Sequence, residues 1–498
     1  MINRAKNQLS LLLKSDLNKS IFSGYALFFL NNVVALFLTP YMLKFVSKQE
    51  YGLYILCVDF LAWVGFLEFG TSKVVESKAG HLIAIGNYKG LNRMFNTSFY
   101  FQLLAGGLII PIFYFSVKLG IGSNQIEHTN FIVLLFSLSA GLSIIKNLFS
   151  SLIFASKKVY LDNSIQFFIN ILNYALVLSL TPFIGGLGLA FISLFIVILT
   201  LFRLKYRTTK LYPSITTSFK YFNRDELKAL FSNGVFFSIG SIATVLISKI
   251  DSFVLGKFMG LEMVTSYYIT IKLFILVQKL IQILYNNYRP YISSFYGKGD
   301  FRGIKLFYNT TSWFLYGLST ILISITIYLN KFFVSFWVGK DYLMNEQFTI
   351  LFGLFILLDL FTLPGRSILV SSLFKIRNHS YARIIEGLTR VSLVLLFINI
   401  MQQDVLPLSS VISGFLFGNI FFFYQVNLYF KEKGIEKPFP FLYFGLFYFM
   451  IVLILLYFKL NFFIPILLLA FGIVMMIYSS KNEIENLQFL KEKFIQKV

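Results

Sequence analysis

The chain has 498 residues, of which 57% are hydrophobic, 19% aromatic and 13% charged, with a net charge of +22 and a mean hydropathy of +0.74. Soluble globular domains carry about 25% charged residues, so composition excludes the ordinary soluble classes and makes lipid the main solvent. The lone cysteine, Cys57, excludes internal disulfides and cysteine-rich metal sites.

Crossing the hydrocarbon takes about 20 apolar residues per helix. Fourteen such stretches are predicted, at 21–45, 51–75, 94–117, 131–154, 160–181, 183–202, 230–257, 263–288, 306–329, 347–373, 383–400, 407–429, 440–458 and 461–479. Met1 to Lys19 ahead of them is polar and mildly amphipathic, and no cleavable signal is expected there. Helices 5 and 6 are separated only by the turn from Pro182 to Gly188. The longest interior loop, Arg203 to Lys228, follows helix 6. The expected organisation is an N-terminal six-helix bundle over 1–202, a linker over 203–229 and a second six-helix bundle over 230–430. Helices 13 and 14 and a tail occupy 431–498.

The loops alternate in charge. Lys73, Lys78, Lys89 and Arg93 fall on one side, as do the basic residues between Arg203 and Lys228, then Arg289, Lys298, Arg302 and Lys305. With the termini, that side collects 31 Lys and Arg against 7 on the other. Positive loops stay in the cytoplasm, so both termini are expected there, as an even helix count requires. Most of the +22 is thereby topology and contact with anionic headgroups, and no nucleic-acid partner is expected.

One short motif occurs twice. Gly86-Asn87-Tyr88-Lys89-Gly90-Leu91-Asn92-Arg93-Met94-Phe95-Asn96-Thr97-Ser98 matches Gly299-Asp300-Phe301-Arg302-Gly303-Ile304-Lys305-Leu306-Phe307-Tyr308-Asn309-Thr310-Thr311 at an offset of 213, which Tyr54 and Tyr267 share. Fixed-offset self-similarity marks a duplication. Six helices separate the copies, which makes the repeat parallel, as in secondary transporters with a central site between their halves. The basic side chains of the motif are expected to fix orientation and gather phosphate at the cytoplasmic mouth.

An ionisable group within a span is costly and faces a cavity or a partner. The candidates are Asp59 and Glu68 on helix 2, Lys146 on helix 4, Lys249 and Asp251 on helix 7, Lys272 and Lys279 on helix 8, Asp359 and Arg366 on helix 10, and Glu386 and Arg390 on helix 11. Lys272 and Lys279, seven apart, share a helix face; they either line an anion path or neutralise neighbouring carboxylates. Asp359 and Arg366 share a face in the same way and can pair. Glu386 and Arg390 have the favourable i, i+4 order for a local salt bridge. The 213-residue offset makes Asp59 and Lys272 equivalent, so an acid and a base are expected to confront each other across a central cavity. A mostly cationic vestibule, with Lys73, Lys78 and Arg289 at its mouth, suits a phosphate-bearing substrate. Lys73, Lys146, Lys249, Lys272, Lys279, Arg289 and Arg366 are the candidate substrate contacts. Asp59, Glu68, Asp251 and Asp359 are the candidate ion-coupling acids. No cofactor or metal site is expected, since the three histidines are far apart and Gly297-Lys298-Gly299 lacks the ending of a phosphate-binding loop.

Lys48-Gln49-Glu50-Tyr51-Gly52-Leu53-Tyr54 followed by Leu67-Glu68-Phe69-Gly70 resembles the helix 1–2 signature of the polysaccharide-exporter branch of the multidrug/oligosaccharidyl-lipid/polysaccharide (MOP) superfamily. Ile250-Asp251-Ser252-Phe253-Val254-Leu255-Gly256, with Gly260, Val264 and Tyr267, resembles its helix 7–8 signature, and Pro290-Tyr291-Ile292-Ser293 with Gly299-Asp300 the end of helix 8. The resemblance implies an all-α integral membrane protein of the MOP type: fourteen helices, two parallel-repeat six-helix bundles plus two C-terminal helices. It implies a Wzx-type flippase of undecaprenyl-pyrophosphate-linked oligosaccharide repeat units for O-antigen or capsular polysaccharide, not an enzyme. Such proteins work by alternating access coupled to a proton or sodium gradient, in the bacterial inner membrane, beside the polymerase and chain-length regulator of the same pathway. Asp251 matches the family's helix 7 acid. Where family members often carry an arginine after the helix 2 glycine, this chain has Lys73 and Glu76. The competing readings are a multidrug or cation antiporter of the related MATE branch, disfavoured by helices 13 and 14 and the lysines, and a flippase for a teichoic-acid-like or peptidoglycan precursor. An integral-membrane polymerase would need a large outer loop with catalytic residues, which is missing here; a non-transporting scaffold would not need so many buried charges.

Overall fold

Hydrocarbon offers no partners for backbone amides, so apolar chain must close its hydrogen bonds within helices. The computed structural model describes residues 16–63, 68–121, 126–156, 158–286, 292, 295–296, 299–371, 376–435 and 466–474, and among them the regular structure is helical throughout. Eight segments are long and apolar enough to cross a membrane, and large side chains such as Phe183 and Phe336 stand 85% exposed on their outer faces. The chain is an integral membrane protein. It divides into two compact units, Met1–Thr265 and Ser266–Val498.

In the first unit, α1 (Asp16–Phe29) passes through a π-helical stretch, Leu30–Val34, into α2 (Ala35–Met42). Then come α3 (Lys48–Leu61), α4 (Thr71–Ala84), α5 (Tyr88–Ile121), α6 (Thr129–Ala155), α7 (Val159–Leu211), α8 (Arg224–Ser248), α9 (Ile250–Phe258) and the first turn of α10 (Leu261–Asn286). The predicted helices 5 and 6 are the two arms of α7, broken at Gly185 (φ 50°, ψ −135°). Two stretches predicted as single helices are discontinuous. Helix 2 is split between α3 and α4, with Phe69 (φ 52°) and Gly70 (φ 62°) both left-handed in the gap. Glycine carries such a dihedral at little cost, whereas a bulky aromatic does not. Helix 7 is split at Lys249 (φ −132°, ψ −2°), which ends α8 and precedes α9.

Two apolar cores hold this unit. One gathers Leu53, Leu56, Phe60, Ile109, Phe113 and Phe136 from α3, α5 and α6. The other gathers Val75, Leu91, Met94, Leu148, Phe149 and Leu152 from α4, α5 and α6.

The motif that opens α3 acquires a physical reading. Ser47 and Glu50 form a capping box, with the Glu50 amide donating to Ser47 Oγ (3.2 Å) and the Ser47 amide to Glu50 Oε2 (2.9 Å). The other carboxylate oxygen of Glu50 accepts from the Gly186 amide at 3.3 Å, tying α3 to the bend of α7. Gln49 Nε2 donates to Glu262 Oε1 at 3.0 Å, a pair separated by the repeat offset itself. Thr265 Oγ1 donates to the Lys48 carbonyl at 2.6 Å. Reciprocally, a Cβ on Gly52 would lie 2.0 Å from the Leu261 carbonyl oxygen, so only glycine fits. Lys48 and Leu261, Gln49 and Glu262, and Gly52 and Thr265 are all related by 213 residues. The contact is therefore isologous, like that across a two-fold axis.

The repeated motif also proves structural. Asn96 Nδ2 donates to the Thr216 carbonyl (2.8 Å) and Asn96 Oδ1 accepts from the Ser218 amide (2.7 Å). Asn92 Oδ1 accepts from the Thr216 amide (3.1 Å) and Thr97 Oγ1 from the Asn223 amide (3.1 Å). These side chains clamp the interior loop onto α5, and Lys78 pairs with Glu226 at 2.5 Å beside it.

In the second unit the remainder of α10 is followed by α11 (Phe301–Trp337), α12 (Glu346–Ser371), α13 (Ile376–Met401) and α14 (Val405–Ser413). A π-helical stretch, Gly414–Ile420, leads into α15 (Phe421–Glu432). Rings of Phe274 and Phe352 (5.7 Å) and of Tyr316 and Phe361 (4.5 Å) pack between α10, α11 and α12. Predicted helix 13 and most of helix 14 lie outside the described residues.

Candidate functional site

Backbone that leaves the helical ladder at membrane depth persists only where protein or a polar cavity satisfies it. Transporters place such breaks at binding sites. The two breaks of the first unit each carry buried charge.

At the first, Lys249 Nζ reaches Asp59 Oδ1 at 2.6 Å. Asp59 sits on α3 and is 11% exposed in its side chain, whereas the lysine is 40% exposed. Asp251 and Ser252, just past the break, are buried. Phe60, next to Asp59 in sequence, stacks on Trp63 (5.4 Å) and meets Phe253 edge-on (5.7 Å). The geometry leaves a cation half open to its surroundings and a carboxylate mostly enclosed. An anion can compete for the lysine without unburying the acid.

At the second, Glu68 lies in the gap between α3 and α4, not on a helix as its stretch predicts. Ser72 Oγ donates to its carboxylate at 2.8 Å. Gln102 of α5, fully buried, donates from Nε2 to Thr71 Oγ1 (3.2 Å) and Ser72 Oγ (3.3 Å). Lys146 of α6 is half-buried and within electrostatic reach of Glu68 and of Asp162, which begins α7. Asp162 itself accepts from Ser150 Oγ at 2.8 Å. A buried carboxylate that accepts from the Ser72 hydroxyl and the Asn147 side chain, with a cation held off it, can bind and release a small cation or proton. A third polar contact joins Asn31 in the π-helical stretch to Asn170 (2.8 Å) and Tyr174 (3.0 Å) of α7.

The second unit handles its charges differently. Arg366 donates to Asp359 Oδ1 (2.9 Å) and to the Asp359 carbonyl (2.8 Å), and Gln278 Nε2 donates to Asp359 Oδ2 (2.9 Å). The pairing expected from their seven-residue spacing is present. Glu386 takes its ion pair from Arg383 at 2.7 Å, three residues before it, where spacing had pointed to Arg390. The Arg390 guanidinium instead sits 5.7 Å from the Phe355 ring centroid. Across from Glu386, the π-helical stretch presents Gly414 and Gly418 near its carboxylate oxygens.

Of the remaining candidates, Lys73 pairs with Glu76 at 2.8 Å on the surface. Lys272 bonds Tyr268 Oη at 2.9 Å, and Lys279 is exposed. Arg289 lies outside the described residues. Sequence reasoning brought together Asp359 and Arg366 but missed Lys249 as the partner of Asp59, as well as Gln102, Ser72 and Asp162. The left-handed Phe69-Gly70 pair is the one local sign of the second break, and a glycine after an aromatic is too common to reveal it.

The fold is that of MOP-superfamily transporters. A MatE family model matches residues 237–373. The chain is similar to the lipid II flippase MurJ in an inward closed conformation, with a TM-score of 0.67 at 16% identity over 94% of this chain and 99% of that one. It is also similar to an inward-facing multidrug resistance MATE transporter, with a TM-score of 0.64 at 12% identity over 78% and 92%. A MOP-superfamily transporter from Pyrococcus furiosus with a binding pocket of reversed polarity aligns with a TM-score of 0.56 at 14% identity over 83% and 98%. No match was found among curated proteins by sequence.

Proposed function

We propose that this protein is a flippase that moves undecaprenyl-pyrophosphate-linked oligosaccharide repeat units across the bacterial inner membrane by alternating access, for O-antigen or capsular polysaccharide. The observation that carries the reading is the extent of the likeness to the lipid II flippase: 94% of this chain, against 78% for the inward-facing multidrug transporter. A flippase of a lipid-linked sugar accounts for nearly the whole chain; the multidrug transporters cover 78–83% of it and leave about a fifth to a sixth without a counterpart. The half-open Lys249 and the basic side chains of Lys146, Lys272 and Lys279 suit a pyrophosphate. Glu68, bonded by Ser72 and Asn147, is the coupling acid for a proton or sodium gradient, and Asp59 releases Lys249 to the substrate. Both termini are cytoplasmic, and the polymerase and chain-length regulator of the pathway are its partners. The chain is a transporter, not an enzyme.

The test uses a strain lacking redundant flippases. Deletion of the gene should leave lipid-linked repeat units accumulated on the cytoplasmic leaflet and surface glycan lost, both restored by the wild-type chain. Unchanged surface glycan and lipid intermediates would sink the reading. The same likeness favours a second reading, a flippase for the peptidoglycan precursor itself. Rescue of a strain depleted of its lipid II flippase would select that reading over the first.

A further inference from the structure

The two arms of α7 reverse at Gly185 and flank an open cavity of about 390 Å³ at the end of the hairpin away from the bend. Its walls are mostly apolar, with Ile165, Phe168 and Leu172 on one arm and Leu199 on the other, and Ser164 and Tyr206 among them. At its rim stand Arg203 and Arg207, one helical turn apart and on one face. Both arginines are exposed. Phe168, at the cavity edge, is 70% exposed on an arm that reads as membrane-spanning. No carboxylate among the described residues forms an ion pair with either arginine.

We propose that this hairpin holds an anionic phospholipid, with its phosphate on Arg203 and Arg207 and the upper part of one acyl chain in the cavity. Arginines at a helix end commonly snorkel to the interface. Here the guanidinium pair instead crowns a cavity, of a size that holds small ligands. Basic pockets between membrane helices on the cytoplasmic side are where anionic headgroups dock. The arginine fork matches a phosphate by two parallel hydrogen bonds. The open side of the cavity lets the rest of the chain run into the bilayer. A zwitterionic lipid would offer the same phosphate but bring an ammonium beside the two guanidinium groups, which repels them, so the site favours a headgroup of net negative charge. The lipid wedges the two arms apart at the end opposite Gly185. Neither Asp59, Lys249 nor Glu68 lines this cavity, and the proposal does not rest on the transported substrate.

The full chain, purified in detergent, is titrated with phosphatidylglycerol or phosphatidylethanolamine, and retained lipid is read by native mass spectrometry. Wild type should retain phosphatidylglycerol in preference. R203Q/R207Q should weaken that retention about thirtyfold, as two basic contacts to a lipid surface imply. K205Q/K220Q removes the same charge from other faces and should leave retention unchanged. Leu172→Trp fills the cavity with both arginines in place and should weaken retention as well. R203K/R207K restores the charge and should recover most of it, which separates loss of the site from loss of the fold. Equal retention of the two lipids by wild type would overturn the proposal. So would an equal loss in K205Q/K220Q, or no effect of Leu172→Trp. Displacement of the lipid by inorganic phosphate would reduce the site to an anion contact, and one-for-one displacement by undecaprenyl phosphate would assign the cavity to the substrate lipid; either result overturns it.

Discussion

The two units bury charge by different means. In the first, Asp59 on α3 and Lys249 at the break between α8 and α9 are 190 residues apart, and the cation remains 40% exposed. In the second, Asp359 with Arg366 and Arg383 with Glu386 pair along single unbroken helices, with side chains no more than 18% exposed. A pair within one helix moves as one body and has nothing to exchange with. A pair built across two elements can part when either element shifts, and its half-open member can take another anion. By this criterion the broken helices of the first unit are where the proposed exchange would take place, and the pairs of the second are suited to holding its helices in register.

The contrast can be broken by substitution. Glu386→Ala leaves Arg383 buried without its acid, and loss of one partner of a buried pair costs about 3–5 kcal/mol. We expect the largest fall in thermal unfolding temperature of the purified protein from this change. If the temperature held, the pair would not be structural. Gly52→Ala drives a Cβ into the Leu261 carbonyl; overpacking of this kind costs about 1–3 kcal/mol and should show in the same melt. Asp59→Asn leaves Lys249 half solvated, so the stability loss should stay below about 1 kcal/mol, while restoration of surface glycan in a deletion strain fails. The exchanged pair Asp59→Lys with Lys249→Asp sharpens the point. A purely structural pair would recover function on exchange, whereas an anion contact at position 249 would not. Lys73→Gln, at a surface pair with 61% of the lysine side chain exposed, should change neither melt nor glycan measurably.

The membrane class and most of the predicted spans up to residue 432 were legible in the sequence because apolar runs of span length have few other readings. The breaks were not. The stretch 51–75 is apolar enough to read as one helix, and neither Phe69 nor Lys249 announces its dihedral. Pairing across elements was equally opaque. The repeat offset pointed from Asp59 to Lys272, but a duplication relates positions and does not dictate contacts, and the side chain that reaches Asp59 comes from the break of helix 7. Asp359 and Arg366 were recoverable because helical geometry alone sets seven residues two turns apart. Glu386 had two arginines within a turn, and spacing could not choose between them; packing did, by setting Arg390 against Phe355. The basic side chains of the repeated motif drew attention to phosphate, whereas its asparagines and threonine clamp a loop, a role invisible until the loop's path is known.

The isologous contact at the start of α3 carries a consequence for how such a chain diverges. A position that faces its own copy is under a restriction no other position feels. Were glutamate present in both copies, two carboxylates would stand within hydrogen-bonding distance and repel. With Gln49 opposite Glu262, one copy supplies the donor and the other the acceptor, an asymmetry open to a fused chain and closed to a pair of identical ones. Every residue on that seam is free to specialise in this way, and the change from Gly52 to Thr265 shows a second position that has done so, one side giving up its side chain while the other gains a hydroxyl that bonds across.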